Sequence, residues 1–278
     1  MQTSRAPVLA TGQLQRHRQC SRPATARAGA AQIVRPDPAR PRAPGLKRRA
    51  RRALGPVGSV VAVRTGQRTA VLTYDDGPEP GGTDPVLTAL ASHAARATFF
   101  VLVSRARRYP GLLREVVAAG HEIALHGVDH RRLTSFPAAE VRRRCADGRA
   151  ELEDLTGQRV RWMRPPYGAQ TLSTSLAIRW AGLTPVLWGP SSWDWKPITQ
   201  EARLARVRET ASAGSILLCH DGFADARDAV DDGPAPALDR GELTARILDI
   251  YASYGLLARS LGEAMADGSA IREAHFRR

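Results

Sequence analysis

The chain has 278 residues, 43% of them hydrophobic, enough for one large α/β domain with a sizeable core. Its formal charge of +14 would suit a nucleic-acid or membrane binder if it were spread evenly. Instead, residues 1–54 carry 13 Arg and Lys against the single acid Asp37, which leaves the rest near neutral at +2 and argues against specific nucleic-acid recognition by the folded part.

Residues 1–54 combine Arg, Pro, Ala and Gly with no apolar period, a composition that cannot bury enough surface to offset chain entropy, so a disordered arm is expected there. The run from Lys47 to Arg52, followed by the modestly apolar Ala53 to Val63, could be an export signal displaced from Met1. The preferred expectation is a hairpin, with Val60 to Val63 and Ala70 to Tyr74 flanking a turn at Thr65, Gly66 and Gln67. No stretch approaches the roughly 18 apolar residues of a membrane-spanning helix. The three cysteines, Cys20, Cys145 and Cys219, form no CxxC pair, which argues against a disulfide framework and against a cysteine zinc site.

From Thr69 onward, short β-branched runs alternate with helical stretches, the signature of βα units around a parallel sheet or barrel. Strands are expected at Ala70 to Tyr74, Ala97 to Val101, Glu122 to Leu125, Val160 to Met163, Thr184 to Leu187 and Ser215 to Cys219, with a weaker one at Gly255 to Arg259. Helices are expected at Asp84 to His93, Gly111 to Ala119, Ala138 to Leu155, Leu172 to Ala181, Glu201 to Ala211 and Glu242 to Tyr254. The layout is a distorted (β/α) barrel over residues 55–265, with a tail at 266–278 and one long loop, Asp221 to Arg240.

Nearly every expected strand runs into ionisable side chains: Asp75 and Asp76, then His126 with His130, Arg164, Asp194 with Trp195, and His220 with Asp221. In a parallel barrel these C-terminal strand ends share one face, where such folds place their active sites. Two histidines at i and i+4 on one side of a helical turn, with a carboxylate from another strand, form a set that holds a divalent metal and leaves positions open for water and a carbonyl oxygen. Asp75 and Asp76, pointing different ways along an extended strand, allow one to ligate while the other takes a proton from the activated water.

Five segments in this order, Thr73-Tyr-Asp-Asp-Gly-Pro78, His126-Gly-Val-Asp-His130, Arg164-Pro-Pro-Tyr-Gly168, Asp194-Trp195 and Leu218-Cys-His220, resemble the motifs of the NodB-homology polysaccharide deacetylases, over roughly Thr69 to Leu261. The resemblance implies Asp75 as catalytic base, Asp76, His126 and His130 as metal ligands, and Arg164 as the partner of Asp75. It also implies that His220 is the acid protonating the leaving group, that Asp194 holds that imidazole protonated, and that the Tyr167 main-chain N–H helps bind the oxyanion. Trp195 and Leu218 would line the pocket for the acetate methyl. Trp188 and Trp193 could offer faces to sugar rings. Two positions depart from the family pattern: Gly127 stands where Ser or Thr is common, and Ser191 where the fourth motif often begins with Asp. Cys219 reads as packing rather than nucleophile.

The implied activity is hydrolysis of N- or O-acetyl groups on a polysaccharide, peptidoglycan-like, chitin-like or xylan-like, with Zn²⁺ as the expected ion and Co²⁺ or Mn²⁺ as alternatives. The partner is an acetylated glycan, and the oligomeric state stays open, with a monomer compatible with the sequence. Such substrates place the enzyme at the cell envelope, although no clear leader begins at Met1. The rival expectation is a carbohydrate-binding barrel that has lost turnover.

Overall fold

The computed structural model describes residues 46–277. By internal contacts the chain divides into Met1–Ala43 and Pro44–Arg278, and the described residues all belong to the second unit. The elements in chain order are α1 (Leu46–Ala53), β1 (Ser59–Thr65), β2 (Thr69–Asp75), α2 (Thr83–Ser92), β3 (Thr98–Leu102), α3 (Val103–Arg108), α4 (Pro110–Ala118), β4 (Glu122–Gly127) and α5 (Ala138–Thr156). There follow β5 (Trp162–Met163), α6 (Leu172–Trp180), β6 (Thr184–Pro185), α7 (Gln200–Thr210), β7 (Ile216–His220), α8 (Arg240–Ser253), β8 (Leu257–Arg259), α9 (Leu261–Ala266) and β9 (Gly268–Glu273).

Several helices start where a side chain supplies the acceptor that the first turn lacks. Thr171, Thr199, Asp239 and Ser260 each accept from the backbone N–H three residues on, at the starts of α6, α7, α8 and α9. The six strands β6, β5, β4, β3, β2 and β7 lie side by side in that order, and every pairing between them is parallel. On one edge β2 pairs β3 over Thr73–Asp75 and β8 over Thr69–Val71, and on the other it pairs β7 over Val71–Asp75.

The sheet curls into a half-barrel, the distorted (β/α) barrel expected from sequence. Its seam runs between β6 and β7. Isolated bridges from β1, Val60 to Val186 and Ala62 to Ser215, span that gap. Alternation along each strand sorts the two faces. Leu72, Tyr74, Phe99, Val101, Ile123, Leu125, Leu217 and Cys219 pack outward against the helices, whereas Val71, Phe100, Ala124 and Ile216 fill a smaller interior core. Residues in phase with that interior, Asp75, His126, Leu218 and His220, reach the mouth of the barrel.

Three expectations are corrected. β1 and β2 do not form a hairpin, because β2 is buried along its whole length between parallel neighbours, and β1 pairs antiparallel with β9 instead. The tail at 266–278 is therefore part of the fold from Gly268 to Glu273. The arm expected to stay disordered to residue 54 forms α1 from Leu46. This helix is held by Ala274 N–H on the Arg51 carbonyl at 3.0 Å and by Arg52 Nε on Glu273 Oε1 at 3.3 Å. Both anchors are distant in sequence, so local composition could not foretell them. Residues 1–45 lie outside the described residues. No described helix is long and apolar enough to cross a membrane.

Candidate active site

The turn after β2 brings two carboxylates together. Asp75 is the last residue of the strand, and Asp76 has φ of 75°, so the chain leaves the extended conformation between them. The alternation expected of adjacent strand residues is thereby broken. Asp76 Oδ1 lies 3.2 Å and Asp75 Oδ2 3.8 Å from the same atom, His126 Nε2. The expected helical turn between His126 and His130 is also absent. His126 lies in β4, and the chain bends from Gly127, at φ of 154°, to bring the two rings to 5.3 Å between centroids. A Cβ at Gly127 would lie 2.6 Å from the Asp129 carbonyl oxygen, so this backbone path leaves no room for a side chain there.

His130 Nε2 lies 3.3 Å from Asp76 Oδ1, and one ligand atom from each of Asp76, His126 and His130 falls within 4.8 Å of the others, all three residues buried. The His126 Nδ1 contact with the Arg164 carbonyl, 2.8 Å, requires a proton on Nδ1 and turns the Nε2 lone pair toward Asp76 in the neutral ring. Asp76 Oδ1 is buried and accepts no conventional hydrogen bond among the described residues. A lone pair and a carboxylate oxygen facing each other in a buried site suit a cation between them, and two imidazoles with one carboxylate match a divalent ion. Burial alone would raise Asp76, but His130, His126 and His220 outweigh it and hold its carboxyl well below the usual range.

Behind this set, Arg164 is fully buried and donates from Nη1 to Asp75 Oδ1 at 2.6 Å and to Thr73 Oγ1 at 2.9 Å, while its Nη2 reaches the Leu187 carbonyl at 3.2 Å. Its guanidinium lies 4.0 Å from the centroid of the Phe100 ring. Opposite, Asp194 spends both oxygens on His220, with Oδ1 2.8 Å from Nδ1 and Oδ2 accepting the backbone N–H at 2.6 Å. Burial opposes charge on this imidazole, yet Asp194 outweighs it and pushes the pKa up to about 9. Strand register makes the juxtaposition, since Asp75 and His220 are direct partners across β2 and β7.

A cavity of about 580 Å³ opens onto these groups. Asp76, His126, His130, Tyr167, Trp195, Leu218 and His220 border it, as do Trp188 and Trp193, while Asp75, Arg164 and Asp194 lie behind the lining. The Trp195 ring meets His220 edge-on at 5.5 Å. Tyr167, at φ of 60° in the turn Pro166–Gly168, sets its ring 4.4 Å from that of His130. At Ser191 the hydroxyl accepts from Trp193 N–H at 3.1 Å, a turn contact that a carboxylate could otherwise make. Cys219 points away from the cavity into the outer core, and burial raises its thiol further from reactivity.

Two groups carry no role in the sequence expectations, although Asp221 stands there at a strand end beside His220. Asp221 is buried against Thr83 Oγ1 at 2.6 Å and Gly77 N–H at 3.2 Å, and burial pushes its carboxyl up to about 7. Asp232, in the long loop, reaches Tyr167 and His130. Only the neighbour of His220 in the fifth motif signalled the first, and nothing local signalled the second.

The profile of the family described as Polysaccharide deacetylase matches residues 62–186. The chain is 34% identical over 167 residues to the chitooligosaccharide deacetylase of Azorhizobium caulinodans, covering 60% of this chain and 80% of that one. It is 32% identical over 175 residues to the peptidoglycan-N-acetylmuramic acid deacetylase PdaC of Bacillus subtilis, which covers 63% of this chain but 37% of that longer protein. The solved structure of the Bacillus subtilis PdaC deacetylase superposes with a TM-score of 0.61 at 27% identity, covering 72% of this chain and 91% of the other. Matching motifs, a curled parallel half-barrel and an aligned length that spans most of a deacetylase relative agree, and the chain belongs to the polysaccharide deacetylase family of amide-bond hydrolases.

Proposed function

We propose that the protein removes acetyl groups from the amino sugars of a polysaccharide in a cation-assisted hydrolysis, with Asp75 as base and His220 as acid. The observation that carries this reading is the pairing of Asp75 with His220 across β2 and β7, with His220 in the wall of one cavity, Asp75 just behind that wall, and both next to the Asp76, His126 and His130 cluster. An acyl transfer to water needs a group that takes a proton and a group that gives one, each within hydrogen-bond reach of the atom it serves.

A divalent cation held by Asp76, His126 and His130, Zn²⁺ by donor chemistry with Co²⁺ or Mn²⁺ as alternatives, would acidify the attacking water and polarise the acetyl carbonyl. Asp75 accepts the water proton, and the Arg164 contact at 2.6 Å on its Oδ1 holds the carboxylate in place for this. The Tyr167 main-chain N–H, by resemblance to the family, would stabilise the developing oxyanion. His220, protonated at neutral pH through Asp194, donates to the departing sugar nitrogen as the C–N bond breaks, leaving acetate and a free amine. Trp195 and Leu218 form the apolar slot for the methyl group, and Trp188 and Trp193 extend the wall toward the glycan.

The relatives named for chitooligosaccharide and for peptidoglycan favour an N-acetylated glycan over an ester. The test is acetate release from N-acetylchitooligosaccharides, peptidoglycan and acetylxylan, with and without chelator, for wild type and Asp75→Asn. Release from the amide substrates that stops with chelator, returns with Zn²⁺ and is lost in Asp75→Asn is expected. Chelator-resistant release, or undiminished release by Asp75→Asn, sinks the mechanism.

A further inference from the structure

The segment between β7 and α8 carries an acid that the motifs do not include. Asp232 belongs to the exposed run 231–235, yet its carboxylate turns inward. Its Oδ1 and Oδ2 accept from Tyr167 Oη at 2.9 and 2.7 Å, and Oδ2 lies 3.4 Å from His130 Nδ1. That nitrogen is buried and has no conventional hydrogen-bond partner among the described residues, so Asp232 is the acceptor within reach.

The two histidines are thus backed differently. His126 is oriented by the Arg164 carbonyl, a backbone group tied to β4 through Arg164 N–H on the Leu125 carbonyl at 3.0 Å. His130 depends on a side chain from the loop. The same loop is anchored four residues earlier, where fully buried Arg105 donates to Asp228 at 2.9 and 2.8 Å and the Asp228 carbonyl accepts from His130 N–H at 3.0 Å. Beyond that anchor the chain is mostly exposed until α8, and Asp232 is where it returns to the cleft. Tyr167 is held from three sides: Asp232 on its hydroxyl, the His130 ring at 4.4 Å, and the Arg132 guanidinium 4.0 Å from its ring centroid.

We infer that Asp232 is a positioning residue that orients His130 and Tyr167 together, so that settling of the Asp221–Asp239 segment over the cleft and retention of the cation are coupled. The inference rests on the reading of Asp76, His126 and His130 as cation ligands. A carboxylate facing Nδ1–H fixes the tautomer whose Nε2 lone pair points into the site and restrains the ring. Coupling is reciprocal: if the placed loop strengthens cation binding, the cation must in turn stabilise the placed loop.

The experiment measures Zn²⁺ affinity of the full chain by competition with a chromophoric chelator, for wild type, Asp232→Ala, Asp232→Asn and Tyr167→Phe. It also follows amide hydrogen exchange over residues 229–236 with and without Zn²⁺. Asp232→Ala is expected to weaken Zn²⁺ binding by about 10–100-fold, the range for loss of an outer partner of a ligating histidine. Asp232→Asn loses less, since an amide oxygen still accepts from the ring, and Tyr167→Phe stays closest to wild type because it leaves Asp232 facing His130. Zn²⁺ slows exchange of the segment in wild type and not in Asp232→Ala. Chelator-treated forms should unfold within about 2 °C of one another, as for a surface substitution, which separates positioning from lost stability.

Affinity of both Asp232 variants within about twofold of wild type, far under the loss expected for such a partner, overturns the inference while leaving the cation site standing. Undiminished Zn²⁺ protection of the segment in Asp232→Ala does the same. Absence of Zn²⁺ binding by wild type overturns the cation reading and this inference together.

Discussion

Replacing Asp194 by Asn tests how His220 is made the acid of the proposed reaction. Asp194 now accepts two hydrogen bonds from one residue, through Oδ1 from His220 Nδ1 and through Oδ2 from the His220 backbone N–H. An amide has one oxygen, so its NH₂ must face one of those donors. If the oxygen stays on the backbone N–H, the NH₂ turns to Nδ1 and favours the neutral ring. Burial already opposes the charge on His220, and removing Asp194 takes away the main group that outweighs it. The rise from an ordinary histidine value near 6.5 to about 9 corresponds to roughly 3 kcal/mol favouring the imidazolium. Without it the group should titrate at or below ~6.5, so the protonated fraction at pH 7.5 falls from about 0.97 to about 0.1, a loss of about tenfold from protonation alone.

The sign follows from the role. His220 must carry a proton to donate it, so wild-type kcat/KM is retained at neutral pH and lost as pH rises through about 9. In Asp194→Asn that limb moves to lower pH, and the wild-type to variant ratio grows between pH 6 and pH 8. The assay is the initial rate of acetate release from an N-acetylchitooligosaccharide at fixed Zn²⁺ across the pH range. A ratio independent of pH from 6 to 9 would refute the reasoning, because Asp194 would then act by orientation alone.

Arg164→Met should leave Asp75 buried without its cation, costing about 3–5 kcal/mol and lowering the unfolding midpoint by roughly 10 °C in calorimetry. An unchanged midpoint would mean that the pair contributes nothing net to the fold. Gly127→Ser, which restores the residue common in the family, should destabilise by about 1–3 kcal/mol and weaken cation binding, since its Cβ meets the Asp129 carbonyl at a positive φ; a denaturant midpoint equal to wild type counts against this. Cys145 and Cys219 should resist alkylation at pH 8 in the native protein and react on unfolding, because burial pushes the Cys145 thiol up to about 12 and raises Cys219 as well. Mass spectrometry reads the outcome, and rapid native labelling of either would contradict the packing.

Much of the site was legible before the fold. The βα alternation from Thr69 onward placed Asp75, His126 and His220 at strand ends, and a parallel sheet brings such ends to one face whatever its exact curvature. Helix positions followed from the sequence pattern to within a few residues, as for Leu172–Trp180 and Arg240–Ser253, whose caps at Thr171 and Asp239 the structure supplied. These are local properties, set by the side-chain period of each element and by the donors its first turn must satisfy. The errors were all non-local or conformational. Whether β1 folds onto β2 or onto β9 depends on the finished barrel, in which β3, β8 and β7 take both edges of β2. The left-handed turn at Asp76 and the bend from Gly127 overrode the alternating and helical geometries that spacing alone suggested. Asp232 belongs to a loop with no period and enters the site four residues beyond Asp228, which buried Arg105 holds. The sequence by itself determined which residues could supply a base, an acid and three ligands. Tertiary structure decided how they face one another, because those distances depend on loop closure and long-range pairing, whose energies no local window of the chain contains.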